Sequence, residues 1–549
     1  MSHANSKANQ KASLKIAARH SDLARLQAYR VADAYKVNNP GIELQFSFRA
    51  SLGDQNQIDP LWRMPEKGVF TEDFVEDLVT GSADCVVHSW KDLPTESRSQ
   101  TELVATLPRA DVRDIFLLRR DRWASLRKTS TLTVFTSSPR RAHNLEVFFK
   151  SYLPIEIKAV SFASVRGNIP TRLRKLFADD SLADGLVLAK AALDRLLEAG
   201  EPEFNVVQKE IRELLLKADF MVLPLTLNPT AAAQGALAIE VKSEVKSEVK
   251  SGLDSGRESF VKKLASLNCQ DTWKAVNEER KILASYGGGC HQKIGVTVLK
   301  RKYGSITFLR GLTDSGEVLN RFDLKRDVLS STPPKATDDS SIFPLRGAES
   351  PFFEREILPE SEWNQVRQAG GIWVARHSAW PETLQVKPET KVWCAGLSSW
   401  RVLAKKGVWV HGCAEGLGEN EMPWIDTIAG KMKWTKLTHD RAVAQNVSNF
   451  ESIATYRLRP RDIADQPVLM QQLVTQLKKA THFFWMSGSS FDRALELVPE
   501  IAQSDRVHAS GPGSTHIYLK SKLGERVYTA LNLEAFRSEC LSQNVKDKV

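Results

Sequence analysis

The strongest constraint on this chain is a rhythm that recurs through its first third: a short apolar stretch, a turn, then an amphipathic helix. Ser21 can cap a helix running to Asn38, and Pro40 and Gly41 stop it. In "IELQFSF", Ile42, Leu44, Phe46 and Phe48 alternate onto one face, as in a strand. "FTEDFVEDLVTG" sets Phe70, Phe74 and Leu78 at helical spacing and ends at Gly81, after which "ADCVVHSW" reads as a short buried strand. "TLTVFTSS", "IKAVSF" and "ADGLVLAKAALDRL" repeat the pattern, so the fold class is α/β with several sheets.

A chain of 549 residues exceeds what one core can organise, and about three or four domains are expected. Its 42% hydrophobic and 26% charged residues are ordinary for a globular protein. The opening "MSHANSKANQKAS" lacks the apolar core of a signal peptide, and no uninterrupted apolar run of about 18 residues occurs, so no membrane association is expected. Six scattered cysteines then read as reduced thiols in a cytoplasmic protein. Without a CxxC pair or an HExxH motif, no metal is expected. "VKSEVKSEVKSGLDSG" from Val241 reads as a surface insertion and "SSTPPKATDDSS" from Ser330 as part of a linker, with a second α/β region from about Gly370.

The net charge of +10 suits either nucleic acid or a polyanionic small molecule. Arginine placement separates the two. Arg19 and Ser21 stand at one strand-to-helix junction, Ser137, Ser138, Arg140 and Arg141 at a second, and Arg166 and Arg172 at a third. Such junctions offer free backbone N–H groups beside guanidiniums that grip carboxylates in two-pronged fashion. Nucleic-acid binding calls instead for basic and aromatic residues along one exposed face, and none is expected here. In "VVHSWKDLPTE", His88, Lys91 and Asp92 follow a buried strand, where α/β proteins place ligands, although Lys91–Asp92 reads equally as a plain surface pair. "YGGGCHQKIG" sets Cys290 after three glycines: either a turn with an incidental cysteine or a thiol given room to carry a group.

"KGVFTEDF", "VVHSWKDLPTE", "TSSPRR", "VRGNIPTRLRKL", "AQGALAIE" and "GGGCHQKIG" resemble, in order and approximate spacing, the hydroxymethylbilane synthase (porphobilinogen deaminase) family over about residues 14–320. The resemblance implies a monomeric enzyme that condenses four porphobilinogens through linear polypyrrole intermediates, releasing ammonia, on a dipyrromethane cofactor joined to Cys290. It assigns catalysis to Asp92 with Lys91. Cofactor contacts fall to Lys91, Asp92, Thr136, Ser137, Ser138, Arg140, Arg141 and Gly167. Substrate and growing-chain contacts fall to Arg19, Ser21, Gln27, Phe70, Arg166, Arg172 and Gln234. The architecture implied is two periplasmic-binding-protein-like α/β domains, 14–110 plus 223–245 and 111–222, and a small α+β domain, 255–328, bearing the cysteine loop. Trp90, Pro139, Ala233 and His291 depart from the family pattern, with Trp90 expected to narrow the cleft, and the segment from about Gly200 to Ala218 is longer than usual.

After a linker at 329–369, residues 370–545 resemble uroporphyrinogen-III synthase. "VWCAGLSSWRVLAKKGVWV", "ATYRLRP", "THFFWMSGSSFDRALELVP" and "VHASGPGSTHIYLKSKLGERVYTALNLEAF" follow that family's order. The resemblance implies site roles for Tyr456, Ser487, Ser489 and Ser514, while the short first half leaves two readings, an active cyclising synthase and a catalytically inactive domain. A two-lobed anion-binding module is the rival, since that fold class also clamps anions between α/β lobes, and Cys290 and Asp92 argue against it because simple binding requires neither.

Overall fold

The computed structural model describes residues 13–50, 72–243, 255–288, 292–327, 332–345, 352–419, 421, 424–462, 464 and 466–541. It divides into two compact units, Met1–Val147 with Lys158–Lys300 and Phe308–Arg321, and Phe148–Ile157 with Arg301–Thr307 and Phe322–Val549.

In the first unit, β1 (Ser13–Arg19), β2 (Glu43–Arg49), β3 (Cys85–Ser89), β4 (Thr101–Ala105) and β10 (Leu237–Lys242) make a sheet of order β2-β1-β3-β10-β4. A second sheet, of order β7-β6-β8-β5-β9, is built from β5 (Asp114–Arg119), β6 (Thr131–Phe135), β7 (Ala159–Ala163), β8 (Gly185–Ala189) and β9 (Ala218–Val222). Each sheet has a parallel set, β2-β1-β3 or β7-β6-β8, continued by antiparallel strands. The chain crosses between the two lobes twice, from β4 to β5 and from β9 to β10. Helices expected from periodicity form at Asp22–Asn38, where the Ser21 hydroxyl accepts from Ala24 N, and at Glu72–Thr80. Leu14, Ile16, Val31, Tyr35 and Ile239 close the first core.

A three-stranded sheet follows, β11 (Gly295–Arg301), β12 (Gly304–Leu312) and β13 (Val318–Lys325), preceded by the helices Ser255–Ala265 and Gln270–Ala284. Glu279, on the second of these helices, is fully buried and accepts both prongs of Arg109 at 2.7 and 2.9 Å and the backbone N–H of Ala233 at 2.7 Å. That contact seats the helix leading to the cysteine loop on the β9-to-β10 crossover. Ala233 has φ +67, a left-handed conformation that glycine adopts without strain. Pro139 opens the helix Pro139–Tyr152, where its missing donor costs nothing.

The second unit begins earlier than its sequence suggests. Within the 329–369 span expected as a linker, β14 (Ile342–Phe343) and β15 (Phe353–Ile357) are sheet strands. Ile342 is fully buried and Phe343 nearly so, and this apolar pair is what overrides the flanking Pro, Ser and Asp. β15 starts a six-stranded sheet, β15-β20-β19-β16-β17-β18, with β16 (Gly371–Val374), β17 (Lys391–Cys394), β18 (Gly412–Cys413), β19 (Trp434–His439) and β20 (Glu451–Pro460). β14 starts a four-stranded parallel sheet with β21 (His482–Trp485), β22 (Val507–Ser510) and β23 (Val527–Thr529). The repeat from Val241 lies mostly outside the described residues, and no described helix is long and apolar enough to cross a membrane.

Candidate active site

The parallel strands β1, β3, β6, β7 and β8 all end toward a cleft of about 560 Å3 between the two lobes of the first unit. Carboxyl ends of parallel strands are where α/β sheets expose unsatisfied backbone to a ligand. Arg19 and Ser21 line the cleft from the end of β1, and Lys91 and Asp92 from the turn after β3. Arg166, Gly167 and Arg172 line it from the β7-to-helix turn, together with Arg141.

The turn Trp90–Asp92 is held from both sides. Trp90 N donates to Ala236 O at 3.1 Å, and buried Gln27 donates through Nε2 to Ser89 Oγ at 2.9 Å. Asp92 remains partly exposed, with Oδ2 4.0 Å from Arg19 Nη1. Lost hydration lowers the pKa of Lys91, with Arg141 and Arg172 adding to that effect against the opposing pull of Asp92. Arg172 donates through Nε to Gly167 O at 2.7 Å, and burial, with Arg141 and Arg166 nearby, lowers its pKa to about 10. Gly167 has φ +110, and a Cβ there would meet Thr171 Cγ2 at 2.7 Å. That close approach, together with the left-handed backbone, restricts the position to glycine.

Other expected residues support the cleft without lining it. Thr136 Oγ1 accepts from Ser138 N, and Ser138 Oγ from Arg141 N. Ser137 Oγ donates to Val165 O at 2.7 Å, stitching the β6 and β7 turns together. Arg140 corrects an expectation. It is buried and directed to Asn228 Oδ1, Pro229 O and Asp114 Oδ2 and does not line the cleft, because Asn228 and Pro229 hold its Nη1 on the β9-to-β10 crossover. Gln234 lines the cleft, yet its amide is committed to Val112 O at 2.7 Å and Asp114 Oδ1 at 2.8 Å. Trp90 also corrects an expectation. It does not narrow the cleft but turns away to pack with Leu93, Ala236 and Val276, its ring 5.1 Å from that of Trp273. His88 is buried, with Nε2 2.8 Å from Glu240 Oε2. Phe70, Cys290 and His291 lie outside the described residues.

Two residues escaped sequence reasoning. Arg195 lines the cleft six residues beyond β8 and donates to Gly235 O at 2.7 Å, and burial lowers its pKa to about 10. It stands in the last turn of the helix Lys190–Leu197, away from the strand-to-helix junction, so no junction pattern marked it. Asp114 organises the crossover through long-range bonds that no local motif announces.

In the second unit, Tyr456 is buried on β20 with its ring 5.6 Å from His439 and Arg355 over its face. Ser487 caps the helix Gly488–Leu497 after β21. Ser489 is buried with its hydroxyl unpartnered, and Ser514 opens the helix Ser514–Leu523 after β22. The three serines thus follow adjacent parallel strands, while Tyr456 packs against His439 and Arg355.

A two-lobed α/β frame with Asp92 set among several cationic side chains defines a cleft suited to anionic groups. Residues 14–250 match the family model described as "Porphobilinogen deaminase, dipyromethane cofactor binding domain". Porphobilinogen deaminase of Syntrophomonas wolfei is 29% identical over 59% of this chain and 92% of its own length. That of Trichlorobacter lovleyi is 32% identical over 51% and 77%, and that of Desulfitobacterium hafniense 32% over 52% and 79%. Among solved structures, the LysR family transcriptional regulator CbnR aligns over 47% of this chain and 71% of its own, at 12% identity and a TM-score of 0.24, too slight a likeness to bear on fold or function. The chain belongs to the porphobilinogen deaminase family.

Proposed function

We propose that the chain is a hydroxymethylbilane synthase, a transferase of tetrapyrrole biosynthesis that joins four porphobilinogens head to tail. The observation that carries the reading is the charge pattern of the cleft: Arg19, Arg141, Arg166, Arg172, Arg195 and Lys91 surround Asp92. Porphobilinogen carries two carboxylates per ring, so a growing chain needs many guanidiniums and few competing acids. The same donors fit a dipyrromethane, whose side chains are also carboxylates. Lys91 and Arg172 would hold it, beside the Asp114-paired Arg141. When bound, the group supplies the free pyrrole carbon on which the chain is extended.

Asp92 faces the reacting ring. Loss of ammonia leaves a cation conjugated with the pyrrole nitrogen, and a fixed carboxylate opposite it lowers the barrier. The same oxygen can take the pyrrole proton released after the new carbon–carbon bond has formed and pass it to the amine that departs in the next round. Arg19 Nη1, 4.0 Å from Asp92 Oδ2, helps to orient that carboxylate. Attachment through Cys290 rests on its place after three glycines, and Cys85 and Cys394 are poorer candidates because burial pushes their thiols far up and away from the reactive thiolate. Intact-mass measurement tests the reading: the parent should carry a dipyrromethane adduct, and Cys290→Ser should fold without it. An adduct retained in Cys290→Ser places the attachment elsewhere, and no adduct in the parent removes the deaminase reading.

For the second unit, the supporting observation is a pair of α/β layers whose chain passes from β14 to β15 and returns from β20 to β21, with β15 and β20 paired antiparallel. That arrangement suits a uroporphyrinogen-III synthase-like unit holding a folded bilane between layers, with Tyr456 on the returning strand assisting loss of the hydroxyl. An inactive domain is the alternative. The full chain supplied with porphobilinogen should yield the type III uroporphyrinogen isomer, and Tyr456→Phe should shift the product toward the spontaneous type I. Type I alone from the parent leaves this unit without the reaction.

A further inference from the structure

The segment that runs longer than usual folds into a short 3-10 turn, Pro202–Phe204, and the helix Asn205–Leu215 on the second lobe. Its first residues reach the helix Asp22–Asn38 of the first lobe. Arg25 Nη1 donates to Glu203 Oε2 at 2.5 Å while Nη2 holds Asp22 at 2.7 Å, and the guanidinium lies 4.9 Å over the ring of Phe204. Tyr29 shares Glu203 and packs its ring 6.2 Å from Phe204, and lost hydration, with Glu203 as its acceptor, raises its pKa to about 12. One turn further along, Arg30 Nη2 donates to Glu198 Oε2 at 3.0 Å. These contacts bridge the lobes along the same helix whose N-terminal end presents Arg19, Ser21 and Gln27 to the cleft.

Resting on the deaminase reading, we infer that Glu203, Phe204 and Glu198 form an interlobe latch that positions the anion-binding arginines of one lobe against Asp92 of the other. None of the three lines the cleft, so they act through the helix they hold. Binding a multiply charged pyrrole uses guanidiniums of both lobes at once, and a cleft that spends time open binds it more weakly in proportion to the closed fraction lost. The ionic half of the latch is half-exposed and yields to salt, while the aromatic half does not. A growing polypyrrole must prise the lobes apart, and a latch built of individually weak pairs permits that where a buried apolar seam would not.

The test uses the full chain with fluorescent amino acids placed genetically at Val37 and Val206, which are 79% and 81% exposed on the two lobes. Energy transfer between them reads lobe separation without any turnover. The parent should hold one short separation at low salt and broaden as salt rises, and the Glu198→Gln/Glu203→Gln variant should be broad throughout. That variant should raise KM for porphobilinogen about 3- to 10-fold with kcat within about twofold, the split expected when closed fraction rather than chemistry is altered. Swapping the exposed pair, Arg30→Glu with Glu198→Arg, should restore parental separation and KM where either single change does not. Identical separations in parent and variant at all salt concentrations overturn the latch, and a widened cleft with unchanged KM overturns its positioning role. If the parent turns over no porphobilinogen, the deaminase reading fails, and the separation measurement still decides whether the lobes are latched.

Discussion

Arg141 meets Asp114 in a two-pronged pair, Nη2 to Oδ1 at 2.7 Å and Nε to Oδ2 at 3.0 Å, while Arg140 Nη2 shares that Oδ2 at 3.1 Å. One fully buried carboxylate therefore neutralises two neighbouring arginines, and Asn228 and Gln234 complete its hydrogen bonds. The crossover between the lobes is fastened at this point.

Asp114→Asn should destabilise the first unit by about 3–5 kcal/mol, because two buried guanidiniums lose their counter-charge. Burial alone would raise the Asp114 carboxyl, but Arg141 and Arg140 hold it well below the ordinary range. A depressed native pKa gives stability that is present above the unfolded value of about 3.9 and is lost as pH falls below it. The parent's urea midpoint should thus drop below about pH 4, and the variant should start lower and change less there.

Asp92→Asn should fold normally, since the side chain is one-third exposed and its contact to Arg19 is long. It should lose about 100-fold or more in kcat, the usual consequence of removing a charge that faces a developing cation. Single-turnover ammonia release measures this. Near-normal release would remove Asp92 from the chemistry.

Trp90→Ala should act on stability rather than on substrate. The indole is 1% exposed and packed against Trp273, so its removal leaves a cavity costing about 3–5 kcal/mol. KM should be unchanged in whatever fraction remains folded, and a raised KM with unchanged stability would return Trp90 to the cleft wall.

His508 should make the second unit acid-sensitive. It is fully buried, accepts at Nδ1 from Trp485 Nε1 at 3.0 Å and donates from Nε2 to Ile501 O at 2.9 Å, so the neutral ring is the one that fits. Burial lowers its pKa to about 4. Stability from this site is fully present above the unfolded value of about 6.5 and lost as pH falls from there toward 4, by about 3 kcal/mol. Tryptophan fluorescence during urea unfolding at pH 7 and pH 5 should show a lower midpoint at pH 5, and His508→Gln should shrink the difference.

The alternation in β2, the short apolar runs of β3 and β8 and the cap at Ser21 are properties of neighbouring residues, so these strands and the first helix were legible from the chain alone. The arginines at strand-to-helix junctions were legible too, because a parallel strand's carboxyl end is a ligand site wherever it lies in sequence. Local pattern could not decide which of Arg140 and Arg141 faces the cleft. They are adjacent on a helix that turns about 100° per residue, both reach Asp114, and the choice falls to Asn228 and Pro229, up to 89 residues away. Trp90 was misread for the same reason: the apolar surface it covers belongs to Trp273 and Val276, from a distant helix. In the supposed linker, Ile342 and Phe343 are too short a run to signal a strand. They become one only because β21 offers an open parallel edge over a buried face. Sequence thus determined the elements and the chemistry at their ends, and tertiary contact decided which side chains meet, because burial and ion pairing depend on partners that the local chain does not encode.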